Sequence, residues 1–457
     1  MQSSLAIYLT KGKQVGIFGL GLSGQGVAVL CKKLGFSYEI ADEHKGDLRE
    51  PHFERYGFCV FSPGFSKRHS WWIQAESLGI PCFTEIDFAA SCLKNKVIAV
   101  TGTNGKTSTV EMVTQLLRAS GQQVLAVGNN GHVLSRAVVE GHLPEDGVFV
   151  CEISSFQAEA LKLLHPVCTL FTNIAPDHLL YHGNFENYLS AKKNLLNLTA
   201  GPIICGNMLR SYLQGIPNIH FAESPKNLQN WLAKFPYSYS FGQRENFALM
   251  RAFAEQFQIP LTLLEQCLEC FAQPPHRLYC CYKWKGIEFW NDSKGTNLHA
   301  VQAALESFKN KTHVHWILGG KPKGENVVLF TETFNRYPNV TRIYFVGETG
   351  NTLYDLRHQF NAETILCCDL DTVFKQFKSY LALTLEGASD HFKEDFTHSV
   401  NTISEHSMRL HAPHYLVLSP GFSSLDQFKS FEQRGEAFEK LAGACEQASR
   451  LPLTHLP

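Results

Sequence analysis

The sequence predicts an α/β protein of parallel sheets, arranged in three successive blocks. Three observations carry that expectation. Short apolar runs alternate with stretches of helical period along most of the chain, which argues for parallel sheets covered on both faces. Two glycine-rich turns each follow an apolar run and open a helix-like stretch, as β–α–β units do. At 457 residues the chain is also too long for one ordinary core, so two or three domains are expected.

The first block opens with KQVGIFGL (13–20), a run ending in glycine, followed by a helix to about residue 34. Strands are then expected at FSYEIAD, FCVFSPG and CFTEIDF, closing a domain at residues 1–93. KVIAVTG opens the second block and leads through a glycine loop into the helix KTSTVEMVTQLLRAS. Further strands are expected at QVLAVG, GVFVCEIS, CTLFTNI and GPIICG, giving a domain at 94–273. FAQPPHR (271–277) reads as a linker. The third block, 274–457, restarts with KGIEFWNDS, then a helix NLHAVQAALESF and strands HVHWILGG, TRIYFVG and HYLVLSPG. Residues 384–411 are polar, His-rich and weakly periodic, and read as a surface excursion.

Composition narrows the function classes. With 44% hydrophobic and 18% charged residues the chain is a folded protein. A net charge of −1 gives no electrostatic case for nucleic acid or an anionic membrane. The N-terminus lacks a signal-peptide pattern, and no run approaches the ~18 apolar residues of a membrane span. A cytoplasmic protein is expected. The fourteen cysteines are scattered; Cys267 and Cys270 form a C-x-x-C, but the surrounding LTLLEQCLECF has helical periodicity and favours buried thiols.

The loop VTGTNGKTST (100–109) nearly spells a phosphate-binding loop, with Val100 where the usual pattern has its first glycine. Gly102 and Gly105 would let backbone N–H groups face phosphate at a helix start. Lys106 would reach the β- and γ-phosphates, and Thr107 would offer a hydroxyl to Mg²⁺. An ordinary strand–helix turn is the bland alternative. GLGLSG (19–24), with Asp42 closing the next strand, is a complete dinucleotide fingerprint. It points either to an NAD-dependent oxidoreductase or to another diphosphate-bearing ligand, because backbone N–H groups bind diphosphate whatever it carries. Glu152, Asp177 and His178 follow apolar strands and are expected at the same sheet edge as the second loop. Glu152 and His178 suit Mg²⁺. His178 and His182, spaced i, i+4, also raise zinc, without a third ligand. Lys192, Asn246, Arg277, Lys294 and Lys323 are not singled out by pattern alone.

Taken in order, TGTNGKTST, CEISSFQ, NIAPDH, the HR of PPHR, NDSKGTN, GGKPKG and LSPGFSSLDQF–KSFEQRG resemble the Mur ligase family, ATP-dependent enzymes that form amide bonds in peptidoglycan precursors. GLGLSG, SPG (62–64), NDSK–TN and the LDQF–FEQRG ending resemble the members that add D-glutamate. The resemblance implies three domains: a Rossmann-like UDP-binding domain, a central P-loop ATPase-like domain and a C-terminal Rossmann-like domain. It implies UDP-N-acetylmuramoyl-L-alanine and D-glutamate as substrates, ATP and Mg²⁺ as cofactors, and a monomer. It demotes the NAD reading, and a family member using another amino acid or a folate is the nearest alternative.

Roles follow residue by residue from the same resemblance. Leu22, Ser23, Asp42, Ser62, Pro63 and Gly64 would hold the UDP end. Gly102, Thr103, Asn104, Gly105, Lys106, Thr107 and Ser108 would hold the ATP phosphates. Glu152 would share a first Mg²⁺ with Thr107, and His178 would bind a second. Lys192 matches the family lysine that reacts with CO₂ to give a carbamate. Asn129 and Ser154 would contact substrate. Asn246, Arg277, Asp292 and Lys294 would approach the nucleotide, and Thr296, Lys323, Ser424 and Phe431 would receive D-glutamate. The chain departs from the family at GQRENFALMRAFA, where H-N-x-x-N is usual, at Gly421–Phe422, and in the 384–411 excursion.

Overall fold

The computed structural model describes residues 2–10, 12–43, 50–129, 132–141, 143–235, 240–384 and 412–447. The excursion expected at 384–411 lies, from residue 385 on, outside them. Three sheets account for the strands. The first holds β1 (Gln14–Phe18), β2 (Tyr38–Ala41), β3 (Tyr56–Phe61) and β4 (Cys82–Thr84), in the order β2-β1-β3-β4, all parallel. The second holds β5 (Lys96–Thr101), β6 (Val124–Gly128), β7 (Val148–Glu152), β8 (Cys168–Phe171), β9 (Ile203–Cys205) and β10 (Ile219–Phe221). Its order is β10-β9-β8-β5-β7-β6, again all parallel. β5 lies between β7 and β8, so the crevice where the connections diverge opens at its carboxyl end, where parallel sheets bind ligands.

The third sheet contains β11 (Tyr279–Trp284), β12 (Ile287–Asn291), β13 (Val314–Gly319), β14 (Val340–Val346), β15 (Glu363–Leu366) and β16 (His414–Gly421), ordered β11-β12-β16-β13-β14-β15. It is mixed rather than purely parallel, because β11 and β12 form an antiparallel hairpin. Lys285 and Gly286 both take positive φ, 46° and 83°, the turn geometry that matches strand twist in a two-residue hairpin.

The described chain divides into two compact units. The first comprises residues 1–175, 182–238 and 243–271; the second comprises 176–181, 239–242 and 272–457. The first unit therefore carries the first two sheets, and the second carries the third.

Helix α1 (Leu22–Leu34) follows β1, α2 (Ser70–Ser77) follows β3, and α3 (Glu85–Ala90) follows β4. CFTEIDF is thus a strand only over its first three residues. The cause is a capping box: Asp87 N–H donates to Thr84 Oγ1 (3.0 Å) while Thr84 N–H donates to the Asp87 carboxylate (3.3 Å). Helix α4 (Lys106–Ala119) buries Val110, Val113, Leu116 and Leu117 on one face, each contributing roughly 1.5–3 kcal/mol. It stops where Gly121 turns at φ 88° and Gln122 N–H donates back to Leu117 O (3.0 Å).

Helix α5 (Leu134–Glu140) sits beside α1 and α3. The first two sheets are tied through α3 by two buried carboxyl groups. Glu85 accepts the Ser135 N–H (2.6 Å) at the start of α5, and Asp87 accepts those of Lys162 (3.0 Å) and Leu163 (2.8 Å). Burial pushes both carboxyls above the ordinary carboxylate range, and these N–H donors oppose that push.

All fourteen cysteines are free thiols. Cys267 is buried as expected, whereas Cys270 is exposed, because the helix Leu261–Glu269 ends just before it.

Candidate active site

The GLGLSG turn stands at the carboxyl end of β1. Gly19 has φ 107°, and a Cβ there would lie 2.7 Å from Ser62 Oγ. Gly24 is required for packing, since a Cβ would run into the Gly19 carbonyl. Leu20 N–H donates to the Asp42 carboxylate at 2.7 Å, so Asp42 braces the turn. α1 has Gly21 as its N-cap, without a side-chain cap, which leaves its first N–H groups for a ligand. Leu22 is 59% exposed at its first position, with Ser23 half-buried behind it. Ser62, Pro63 and Gly64 leave the end of β3 on the other side of β1. Here the structure groups the expected residues around three adjacent strand ends.

The second loop is held more tightly. Gly102 has φ 146° and Gly105 φ 82°; a Cβ would run into Thr172 Oγ1 at the first and Asn246 Oδ1 at the second. Two residues after β8 clamp the loop backbone. Asn104 N–H donates to Asn173 Oδ1 (2.9 Å), Thr103 N–H donates to Asn173 O (2.9 Å), and Thr172 Oγ1 donates to Asn104 O (2.6 Å). Neither Thr172 nor Asn173 was expected as a site residue; a polar TN pair directly after an apolar strand was the available signal. Thr103 Oγ1 also meets Tyr188 Oη at 2.9 Å, and Ser108 is buried in the first turn of α4.

Two lysines converge on this loop. Lys106 Nζ donates to the carbonyls of Gly102 (2.9 Å) and Thr103 (2.8 Å). Lys192, from the helix Phe185–Asn197, is 1% exposed, and its Nζ donates to the same Gly102 carbonyl (2.8 Å). Two ammonium groups on one carbonyl, beside a helix N-terminus, draw an anion. Opposite them Glu152, at the end of β7, accepts from Thr107 Oγ1 (2.8 Å) and Asn129 Nδ2 (3.1 Å). A threonine hydroxyl and a carboxylate are hard oxygen donors, so this pair fits Mg²⁺, while the glycine turn at the start of α4 fits phosphate. Asn246 lies against Gly105 and donates to Gln243 Oε1 (3.1 Å). Ser154 differs from expectation in its engagement: it caps the short helix Ser155–Ala158 and bonds Gln157 Oε1 (2.9 Å).

His178 and His182 stand in different surroundings. His178 has φ 54° and precedes the four-residue helix Leu179–His182, whereas His182 is buried with Nε2 3.0 Å from Ser155 Oγ. Among the described residues no three His, Cys, Asp or Glu side chains are grouped to hold a metal.

In the second unit, Asp177 gathers Lys323 Nζ (2.7 Å) and Asn297 Nδ2 (3.1 Å), with His178 Nε2 at 3.7 Å. Burial alone would raise its carboxyl, but Lys323 and His178 hold it below the ordinary range. Lys323, expected to receive D-glutamate, is thus paired with a carboxylate of the chain.

Asp292 follows β12 and accepts from Ser419 Oγ (2.7 Å). Burial pushes it up to about 7 against the pull of Ser419, Arg277 and Arg434. Lys294 Nζ lies 3.6 Å from the Phe431 ring centroid, a cation–π contact. Thr296 is half-buried and Ser424 is buried in the loop after β16. Arg434 was not expected: it is buried and ties two loops together. It donates to Ser293 Oγ (3.0 Å), Ser293 O (2.8 Å) and Phe422 O (3.2 Å).

Known proteins align with this chain along nearly all of its length. Residues 100–261 match the Mur ligase middle domain. The chain is 29% identical over 458 residues to the UDP-N-acetylmuramoylalanine–D-glutamate ligase of Chlamydia abortus, covering 95% of this chain and 98% of that one. It is 29% identical over 448 residues to the like-named ligase of Aquifex aeolicus, covering 93% and 97%. Among solved structures, the MurF ligase of Thermotoga maritima in complex with ADP superposes with a TM-score of 0.57 at 15% identity, covering 95% and 96%. A pseudomurein peptide ligase type C from Methanothermus fervidus gives 0.54 at 15%, covering 94% and 100%. These two structures speak for the three-domain α/β fold alone. The sequence likeness to Mur ligases centres on the middle domain and runs through both flanking sheets.

Proposed function

We propose that this chain is the ligase that adds D-glutamate to UDP-N-acetylmuramoyl-L-alanine, driven by ATP, in the synthesis of peptidoglycan precursors. The observation that carries the reading is the pair of glycine turns in one unit: GLGLSG braced by Asp42, and TGTNGKTS with two lysines and Glu152 around it. The names of the relatives, matched over more than nine-tenths of the chain, supply the substrates. In this reading residues 1–93 bind the UDP end, 94–273 bind ATP, and 274–457 bind the amino acid.

The substrate carboxylate takes the γ-phosphoryl group of ATP, giving an acyl phosphate and ADP. The D-glutamate amine then attacks the acyl carbon, and phosphate leaves as the amide forms. Thr107 and Glu152 would hold one Mg²⁺ and His178 a second, and these ions would supply charge neutralisation for phosphoryl transfer. Lys106 leaves its loop carbonyls for the phosphates, and Lys294, Arg277 and Asp292 attend the nucleotide. A substrate carboxylate takes the place that Asp177 holds at Lys323, with Thr296, Ser424 and Phe431 completing the amino-acid site. Lys192 would lose a proton to give the free amine, which would add to CO₂ and release a second proton, leaving a carbamate anion where a cation stood.

The reading implies a cytoplasmic monomer without nucleic-acid or membrane partners. Among the described residues no helix is long and apolar enough to cross a bilayer, and light scattering at 51.3 kDa tests the monomer. The decisive experiment is phosphate release with UDP-N-acetylmuramoyl-L-alanine, ATP, Mg²⁺ and D-glutamate, omitting each in turn. Release that needs all four is expected; release indifferent to D-glutamate overturns the substrate.

A further inference from the structure

We infer that Phe65, His69 and Trp71 form a stacking shelf for the base of the nucleotide substrate and set much of the affinity for its UDP end. The inference rests on the function proposed above, since it takes the GLGLSG turn as the seat of a UDP diphosphate. The shelf begins at that turn. Phe65 directly follows Ser62–Gly64, and its ring would lie 3.3 Å from a Cβ on Gly19. The Phe65 and Trp71 rings are nearly parallel, with centroids 5.7 Å apart and 14° between planes. His69 stands edge-on to both, at 4.7 Å and 5.4 Å.

These three rings differ from the aromatic layer beneath them. Phe18, Phe61 and Trp72 are wholly buried, with Phe61 stacked on Phe18 at 4.2 Å and 4.3 Å from Trp72. Phe65, His69 and Trp71, in the loop after β3 and at the start of α2, are only half-buried, where water would otherwise favour polar side chains. Phe18 touches both Phe65 and Trp71 (6.4 Å and 5.7 Å), so the buried layer fixes the exposed one. A rigid half-exposed π surface suits a planar base.

His69 locks the shelf to the rest of the site. Its Nδ1 accepts the Trp71 N–H at the start of α2 (3.1 Å), and its Nε2 reaches the Glu43 carboxylate (3.1 Å). Glu43 directly follows Asp42, the brace of the glycine turn. The same imidazole therefore holds a ring of the shelf and the strand end that shapes the diphosphate seat. Ser62 Oγ, buried and without a hydrogen-bond partner among the described residues, would lie 2.7 Å from a Cβ on Gly19.

The test is UDP binding to the full chain, with the ATP site filled by a non-hydrolysable ATP analogue. Inorganic pyrophosphate serves as the probe lacking a base. Wild type is expected to bind UDP more tightly than pyrophosphate, and Phe65→Leu or Trp71→Leu to weaken UDP about tenfold with pyrophosphate unchanged. Trp71→Phe, which keeps a ring, is expected to restore most of the affinity lost in Trp71→Leu. It should also remove a fluorescence change that UDP causes in wild type. An unaltered affinity for the ATP analogue shows that each variant is folded. If wild type binds UDP but the leucine variants bind it equally well, or the fluorescence change survives in Trp71→Phe, the shelf is refuted. If wild type ignores UDP and binds NADH, the proposed substrate fails instead.

Discussion

The two glycine turns of the first unit occupy equivalent places, each between a central parallel strand and a helix, yet they are built for different work. The turn after β1 is braced by a carboxylate, Asp42, on the Leu20 N–H, and displays an exposed leucine. The loop after β5 is clamped by Thr172 and Asn173 and carries two ammonium groups on the Gly102 carbonyl. In the proposed function the first supplies backbone donors to a diphosphate that does not react. The second adds mobile charge, which matters where charge develops in a transition state. A backbone turn alone recognises phosphate; the side chains around it decide whether phosphate is held or transferred.

The largest effects should come from the charged loop. Lys106→Ala and Lys192→Ala are each expected to lower turnover by about 10²–10³-fold or more while UDP binding persists, measured by phosphate release and UDP titration. Near-normal turnover in Lys192→Ala would remove the carbamate role. Gly102→Ala comes next: strain at φ 146° and the clash with Thr172 cost about 1–3 kcal/mol. A lower melting temperature and a lost response to ATP are expected there, and a variant that still binds ATP normally would show the clamp to be dispensable.

On the neutral turn, Asp42→Ala should raise KM for the UDP substrate about tenfold and leave KM for ATP alone. Equal shifts in both would erase the contrast. Leu22→Ala should raise the same KM only about two- to threefold, the worth of a partly buried side chain.

The smallest effect concerns the shared support of the two turns. Because burial raises the folded-state value of Glu85 above 4.5, its protonated form favours folding. That contribution is complete below 4.5 and is lost as pH rises through the raised value. Glu85→Gln cannot ionise, so its melting temperature should fall less than that of wild type from pH 4.5 upward. Parallel profiles would assign the pH dependence elsewhere.

Both turns were legible in the sequence because glycine demands are local: a positive φ or a missing Cβ leaves a mark at one position. Glu152 and Asp42 were legible because they stand at strand ends, and Lys106 because it opens the helix after a glycine loop. The clamps were not. Asn173 reaches Asn104 across 69 positions and Arg434 reaches Ser293 across 141, and no local spacing records such a pairing. Two capping boxes were present as T-x-x-D at Thr84 and S-x-x-Q at Ser154, yet each competed with a second meaning. The first lay in an apolar run that reads as strand, and the second in a motif that reads as substrate contact. The hairpin at Lys285–Gly286 was hidden for a similar reason, since the strand before it, YCCYKW, carries no alternation of burial.

The buried carboxyls of α3 have a consequence for the order in which this chain takes shape during synthesis. Asp87 meets the Thr84 N–H in its own turn, but its other donors lie 75 and 76 positions later, and Glu85 waits 50 for Ser135. Until then the helix that carries them already packs on α1, β3 and β4, with its two acids short of those partners. The first sheet can therefore assemble early, but the acids that join it to the second are fully paired only once residue 163 has left the ribosome.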